Sequence, residues 1–403
     1  MKILIINTYY YPNMIGGTEH SIKILSESLM NQGNEVAVLT ADAEQHYEES
    51  LINGIKIYRI GIMNHDKNGR YFLTQKFSHI SFKINELDNH FIKKYLNKVL
   101  IDFNPDVVHT NNLFGLSTYV WKYFSNKNVP IVHTLRDYWL LDPRTELNKT
   151  NPFITFFYQK YNKRKTKYVN YVTAPSQFTL NTFINKKYFY NADSSVVVNC
   201  LKFDYDKIKK YISDRIKNNN DFIYFLFVGM LSEHKGIIKL LDVFSKLDRN
   251  NLILNICGQG PLKKTVEEYS LKYENINYLG QLSTEELEKV YLNNDVLIVP
   301  SIWDEPFGRI VIEGNSYGLP VIASNKGGLV EIIRSMNSGI TYNYNSMDEL
   351  KKCILLFADR NYIKSYYPSI INNIEKYSNK KQADSFLLIY KALASNQDKE
   401  VKR

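Results

Sequence analysis

Apolar residues along this chain gather into short unbroken runs, separated by segments whose apolar positions recur at helical spacing. In the first half the runs are "ILII" (3–6), "VAVLT" (36–40), "DVVHT" (106–110), "PIVHTL" (130–135), "YVTAPS" (171–176) and "SVVVN" (195–199). Runs this short and this rich in β-branched residues read as strands buried on both faces, as in a parallel sheet covered by helices. Between the first two, Ile22, Leu25 and Leu29 fall on one face and predict a helix near Thr18–Asn31.

The pattern restarts at "FIYFLFVG" (222–229), followed by a predicted helix over "GIIKLLDVFSKL" (236–247). Later strands are expected at "LILNIC" (252–257), "INYLG" (276–280), "VLIVPS" (296–301) and "PVIAS" (320–324). The segment between the halves, "DYDKIKKYISDRIKNNND" (204–221), is charged and ends in an asparagine run, which suits a boundary. An α/β architecture follows: two doubly wound, Rossmann-like domains, 1–200 and 201–375, facing one another across a cleft. Ligands are expected at the carboxyl ends of the strands. A helix within 376–395 carries Phe386, Leu387 and Tyr390 on one side and is expected to pack back on the first domain. The tail 396–403 is expected to be disordered.

Length and charge narrow the picture further. At 403 residues the chain can bury two cores. A formal charge of +10 favours phosphates, nucleic acid or an acidic membrane face, unless it is simply a basic surface. No nucleic-acid recognition motif appears. Cys200, Cys257 and Cys353 are odd in number and form no CxxC pair, so neither zinc nor a disulfide framework is indicated, and a reducing cytoplasm is the simplest setting. "MKILIIN" is too short an apolar run for a signal peptide, and no run approaches the roughly 20 residues that cross a bilayer. The expectation is a cytoplasmic protein whose contact with a membrane, if any, is peripheral on its inner face.

Three loops carry candidate chemistry that the residues themselves suggest. Gly16 and Gly17 precede a helix, where backbone N–H groups and the helix dipole meet anions; a plain turn is the alternative. Lys235 sits beside Gly236 at the start of another helix and can neutralise phosphate there, although a lone lysine is usually solvated surface. In "WDEPFGRIVIEGNSYGLPVIAS" (303–324), Pro306 keeps Glu305 ahead of the helix and Gly308 lets the backbone approach a ligand. A helix from about Phe307 places Glu313 nearly two turns down, about 9–12 Å along the axis. Glycosidase carboxylates stand roughly 5–9.5 Å apart around one bond. The wider spacing suits two acceptors on different parts of one extended ligand, while a folded-back loop leaves hydrolysis open. Ile310, Val311, Ile312 and Gly314 make that helix largely buried, so an ionised Glu313 requires a partner.

The sequence resembles the family 4 retaining glycosyltransferases of the GT-B fold. The resemblance rests on "GGTEHSIKILSESLMNQGNEVAVLT" (16–40), "VGMLSEHKGIIKLL" (228–241), "GQGPL" (258–262) and "PSIWDEPFGRIVIEGNSYGLPVIASNKGGLVE" (300–331), in that order. It implies transfer of a sugar from a nucleotide-diphosphate sugar to a hydroxyl acceptor, in some relatives a lipid-linked one, in building surface polysaccharide or glycoconjugate. It also implies Gly16 and Gly17 at the donor diphosphate or sugar, Lys235 on the diphosphate, Glu305 on the sugar hydroxyls and Glu313 on the ribose. The amides of Phe307, Gly308, Arg309 and Ile310 would bind the diphosphate between them. Met230 stands where the family has a second cation, and Arg309 is a candidate replacement. Arg136, in "HTLRDYWLLDPR" (133–144), stands where many relatives have histidine. Being always protonated, it suits departing phosphate or an anionic acceptor and cannot act as a base. His109 and His133 lie in apolar strands and read as core histidines. No general base is assigned, in keeping with the family's use of the leaving phosphate to take the acceptor's proton.

No acidic metal motif marks a strand end, since Asp102 and Asp106 only flank "FNP" and "DVVH", so neither metal nor cofactor is expected. Lys160, Lys163, Arg164, Lys165 and Lys167 follow the aromatic run "FITFFY" and suit either an anionic lipid surface or a solvated helix face. Met230 and Arg136 keep a second reading open, a nucleotide-sugar-binding subunit without turnover that supports a partner transferase. A dinucleotide dehydrogenase is disfavoured, because neither half has G-x-G-x-x-G and "GQGPLK" lacks the last glycine.

Overall fold

The computed structural model describes residues 1–14, 16–42, 47–61, 87–142 and 152–401. Pro143 and Arg144 of the 133–144 stretch, and the last two residues of the tail, lie outside the described residues. The chain divides into two compact units, Met1–Cys200 together with Asn379–Arg403, and Leu201–Ser378.

In the first unit the strands are β1 (Lys2–Ile6), β2 (Glu35–Asp42), β3 (Glu48–Ile52), β4 (Ile55–Gly61), β5 (Val107–Thr110), β6 (Ile131–Thr134), β7 (Tyr171–Ala174) and β8 (Asp193–Val196). They form one sheet in the order β3-β4-β2-β1-β5-β6-β7-β8. All neighbours run parallel except β3 and β4. The β3–β4 pair is an edge hairpin absent from the sequence reading. Its turn, Asn53–Gly54, has both residues at positive φ, 51° and 82°, the geometry that an Asn-Gly pair supplies at low cost. That dipeptide was the available signal.

Ile3, Leu4, Ile5 and Ile6 of β1 are fully buried, and Ile3 and Ile5 join Val36, Val38, Leu25 and Leu29 in one core cluster of this unit. The helix Asn379–Val401 joins that core, seating Phe386 and Tyr390 against it with no exposed surface. Each ring contributes about 1.5–3 kcal/mol by leaving water. The helix runs through 396–401, a segment expected to be disordered; Gln397, Lys399 and Glu400 are good helix formers, and no Gly or Pro interrupts it.

A buried polar chain crosses this sheet. The Tyr390 hydroxyl bonds His109 Nδ1 at 2.6 Å, and His109 Nε2 bonds Thr134 Oγ1 at 2.7 Å. Thr134 Oγ1 in turn meets Thr173 Oγ1 at 2.6 Å. Thr110 Oγ1 bonds His133 Nδ1 at 2.9 Å and accepts the Trp121 indole N–H at 2.9 Å. His109 and His133 thus lie in the core, each without solvent exposure.

In the second unit the strands are β9 (Ile223–Val228), β10 (Leu252–Cys257), β11 (Ile276–Gly280), β12 (Val296–Val299), β13 (Val321–Ser324) and β14 (Gly339–Tyr342). Their order is β11-β10-β9-β12-β13-β14, all parallel. The short edge strand "GITY" was not anticipated, having too few apolar positions to read as a buried run. The segment 204–221 is not a loose boundary. Tyr205–Lys217 is a helix capped by Asp204, and it buries Ile208, Ile212 and Arg215. Arg215 holds it down by donating to the carbonyls of Tyr291 at 2.8 Å and Tyr317 at 2.9 Å. Charged residues on the outer face masked an ordinary amphipathic helix. Cys200, Cys257 and Cys353 are free and buried.

Burial holds both histidines neutral, His109 well below the ordinary imidazole pKa and His133 at about 3, with the Arg136 charge adding to both. Unfolding exposes them near 6.5, so stability is flat above that pH and falls as pH drops through it. The expected loss is about 1.4 kcal/mol per histidine between about pH 7.5 and 5.5. Burial also pushes the Asp137 carboxyl up to about 6, and its proton uptake in the folded state offsets part of this loss. Urea unfolding at the two pH values should therefore show a shallower slope in His133→Phe than in the parent; equal slopes would mean His133 titrates in the folded state.

Candidate functional site

In the second sheet the strand order reverses between β9 and β12, and the loops leaving these neighbours lead to opposite faces of the sheet. Such a switch point opens a crevice at the carboxyl ends of the strands. The β9 loop brings Lys235, at the end of a single 3-10 turn Glu233–Lys235, and the β12 loop brings Glu305. Their side chains meet: Lys235 Nζ lies 2.6 Å from Glu305 Oε1. The Ser301 hydroxyl donates to the same oxygen at 3.1 Å, and the Lys235 ammonium stands 5.3 Å from the centre of the Trp303 ring. Neither Ser301 nor Trp303 was singled out from sequence; their place beside Glu305 in "PSIWDE" was the only signal.

Two glycine contacts hold these loops together. Gly236 adopts φ 74° and packs so tightly on the 300–302 backbone that a Cβ there would lie 1.8 Å from the Pro300 carbonyl oxygen. The Ile302 amide donates to the His234 carbonyl at 2.9 Å beside it. From the other side the Gly328 amide donates to the Glu305 carbonyl at 2.7 Å. Glu305 is therefore fixed by its backbone as well as by its carboxylate.

Beyond Glu305 the chain passes buried Phe307 and turns at Gly308, φ 94°, into the helix Arg309–Ser316. The helix begins two residues later than the sequence suggested, because the left-handed Gly308 interposes a turn after Pro306. Phe307, Gly308, Arg309 and Ile310 thus form the entry to its first turn, where helix amides lack carbonyl partners within the helix and an anion is favoured. Glu313 follows one turn on. Burial pushes its carboxyl above the ordinary carboxylate range, and the Arg309 charge opposes that only in part. Among the described residues no group hydrogen-bonds the Glu313 side chain.

Beside these loops a cavity of about 390 Å³ opens at the ends of β9, β10 and β11. Val228, Gly229, Met230, Gly258, Gln259 and Gln281 are among its lining residues. Met230, half exposed, brings a thioether and no charge. The pocket is neutral, with two primary amides as its hydrogen-bonding groups.

The remaining candidates lie in the first unit, at the corresponding edge of its own sheet. Gly16 precedes the helix Gly17–Asn31, and its amide donates to buried Glu19 Oε2 at 2.8 Å. That donor is already engaged by the chain's own carboxylate. Arg136, nearly buried after β6, donates Nε to Asn111 Oδ1 at 3.0 Å and Nη1 to Asn199 Oδ1. Asp137 beside it accepts from Asn112 Nδ2 at 2.9 Å and from the Trp139 amide at 2.8 Å. Asn111, Asn199 and Asp137 had no distinguishing sequence pattern. No group of three or more His, Cys, Asp or Glu that could hold a metal occurs among the described residues.

A paired lysine and glutamate at a switch-point crevice, a helix entry beside them and a neutral pocket make up the candidate site, whose groups are chemically suited to an anionic, hydroxyl-bearing ligand. The comparisons with known proteins bear on the family and the fold. The model of "Glycosyltransferase Family 4" matches residues 15–202, and that of "Glycosyl transferases group 1" matches 209–396. The chain belongs to the family 4, group 1 glycosyltransferases and has the GT-B fold. A Klebsiella pneumoniae relative, described as an uncharacterised protein in the cps region, is 28% identical over 83% of this chain and 88% of its own length. Among solved structures, sucrose-phosphate synthase from Thermosynechococcus elongatus superposes with TM-score 0.75 at 18% identity, covering 98% of this chain and 99% of that one. The Anabaena protein HepE, solved with UDP and glucose, superposes with TM-score 0.66 at 16% identity, covering 96% and 99%.

The two glycine positions predict unequal costs. At Gly236 an added methyl meets backbone, which cannot rotate away. At Gly308 it meets the end of the Leu329 side chain, 2.4 Å from Cδ2, which can. Gly236→Ala should destabilise by about 2–4 kcal/mol and Gly308→Ala by about 1–2 kcal/mol, measured as shifts in thermal melting. A milder effect at Gly236 would show that the two loops are not locked.

Proposed function

We propose that this glycosyltransferase moves a sugar from a nucleotide-diphosphate donor to a hydroxyl acceptor with retention of anomeric configuration. The observation that carries the reading is the Lys235–Glu305 pair, a cation suited to phosphate oxygen within hydrogen-bond distance of a carboxylate suited to sugar hydroxyls. The helix entry at Phe307–Ile310 continues the phosphate site, Glu313 takes the ribose, and the neutral cavity with Gln259 and Gln281 takes the base. One ligand, read from sugar to base, spans these features in order.

Retention on this reading needs no protein base. The bond from the anomeric carbon to the diphosphate oxygen breaks as the acceptor oxygen bonds the same face, and the departing phosphate oxygen takes the acceptor's proton. Lys235 balances charge on that phosphate without a metal or cofactor. Arg136, held by Asn111 and Asn199, keeps a permanent positive charge in the first unit that suits an anionic acceptor. The Klebsiella relative from a cps region supports a role in building surface polysaccharide or glycoconjugate.

A thermal-shift screen across UDP-, GDP-, ADP- and dTDP-sugars tests the donor class, because a ligand that binds the folded state raises its melting temperature. At least one series should stabilise the protein, and activity with that donor should survive EDTA and give a product with the donor's anomeric configuration by NMR. No stabilisation by any of them, metal-restored activity or inversion would each contradict the reading.

The two glutamates should then separate by function. Glu313→Ala should weaken the selected nucleotide diphosphate and its sugar alike, by about 1.5–3 kcal/mol, the range of a charged hydrogen bond. Glu305→Gln should not weaken nucleotide diphosphate, since it releases Lys235 from its ion pair, while lowering kcat, since contacts that tighten at the transition state appear in turnover. Calorimetry with steady-state kinetics checks both, and equal losses of nucleotide diphosphate affinity would remove the division of labour.

A further inference from the structure

The helix Pro152–Lys165 carries no acidic residue, and one stripe of it changes character along its length. Phe153, Phe156 and Phe157 occupy the first turns, and Lys160 and Arg164 continue the stripe at the same helical spacing. The opposite side is anchored: Tyr158 and Asn162 are buried, and Asn162 Nδ2 donates to the Leu140 carbonyl at 3.2 Å. The aromatic turns are exposed to solvent. Phe153 is 70% exposed, Phe156 61% and Phe157 53%, with Ile154 at 53% beside them. Four large apolar side chains exposed within five residues form a patch of the kind that marks an interaction surface. A cavity of about 620 Å³ opens along it, with Leu87, Phe153, Ile154, Phe157, Lys160 and Arg164 among its lining residues.

The cations around the patch are not equivalent. Lys165 pairs with Asp88 at 2.9 Å and lies over the Tyr161 ring, leaving 13% of its side chain exposed. It belongs to the fold, so the five-residue basic cluster expected from sequence is reduced by one. Lys160, Arg164 and Lys167 are exposed and Lys163 partly so. The loop after the helix Gln177–Ile184 adds exposed Lys186 and Lys187, together with exposed Tyr190. This loop is tied to the same helix: the Tyr188 hydroxyl donates to the Gln159 carbonyl at 3.0 Å and the Phe189 amide to Thr166 Oγ1 at 2.9 Å. Asp88, which pairs with Lys165, is an acid whose contact with this helix is thereby accounted for.

We infer that this face docks on an anionic phospholipid bilayer, the aromatic turns entering the interface and the surrounding cations meeting lipid phosphates. Three observations favour a lipid surface over a protein or nucleic-acid partner. The apolar residues are bulky aromatics clustered at one end, the cations follow them along the same stripe, and the helix offers no acid for a partner's cations. A nucleic acid would use the cations and leave the phenylalanines in water. A second copy of the chain would bring the same cations against themselves.

Vesicle co-sedimentation of the full chain tests this independently of turnover. Binding to phosphatidylcholine vesicles containing about one third phosphatidylglycerol should exceed binding to pure phosphatidylcholine by at least about tenfold, and should weaken as salt rises. The Lys160→Glu/Arg164→Glu pair should lose at least about tenfold, and Phe153→Ser/Phe157→Ser should lose binding that salt does not restore. Nucleotide-induced thermal shift verifies that each variant is folded; the exposed Lys160 and Arg164 carry the test if the phenylalanine variant is not. Equal binding to neutral and anionic vesicles would overturn the inference. So would retained binding in the charge-reversed variant, or sedimentation velocity showing that the patch instead joins two copies of the chain while vesicles are ignored.

Discussion

The Lys235–Glu305 contact is the constraint around which the second unit's site is built. It joins two loops that leave neighbouring strands in opposite directions, and it exists only because β9 and β12 are adjacent where the strand order reverses. Two opposite charges held at 2.6 Å also keep each other from searching for other partners. A ligand arriving with phosphate for the lysine and hydroxyls for the glutamate meets groups already in place, so little side-chain ordering remains to oppose binding. The backbone supports this directly. Gly236 on the Pro300 carbonyl and Gly328 on the Glu305 carbonyl position the loops before any ligand is present.

Around that pair the site grades from charged to neutral. Arg309 opens the helix and Glu313 lies one turn along it, and the pocket at Met230, Gln259 and Gln281 carries no charged side chain. The raised pKa of Glu313 is the signature of a carboxylate placed where solvent cannot serve it. Such a group carries a desolvation cost that a hydroxyl donor would relieve. In the first unit two asparagine side chains orient Arg136 and fix the direction of its guanidinium.

The fold was legible where burial is uniform. "ILII" and "VLIV" announce strands covered on both faces, because every position in them is apolar, and the two repeats of that grammar gave the two-unit α/β architecture. It was illegible at the edges. β3 begins with two glutamates and is half exposed, so its alternation carries little signal, and only the Asn53–Gly54 turn betrays it. The helix Tyr205–Lys217 was hidden by lysines on its outer face, although Ile208 and Ile212 are spaced for burial. At the site, Glu305, Glu313 and Lys235 stood out by their glycine and proline neighbours. Their contacts did not, since 70 residues separate Lys235 from Glu305 and only sheet order brings them together. The engagement of the Gly16 amide by Glu19, and of Lys165 by Asp88, likewise depends on three-dimensional neighbours that no local pattern reveals.

If the paired charges form the phosphate end of the donor site, Lys235 must matter to the diphosphate and not to the nucleoside. Calorimetric titration of the parent and of Lys235→Met with the selected nucleoside and its diphosphate separates these contributions. The account predicts a loss of about tenfold or more for the diphosphate, the range of a charged hydrogen bond, and no change for the nucleoside. Equal diphosphate affinity in parent and variant would contradict it.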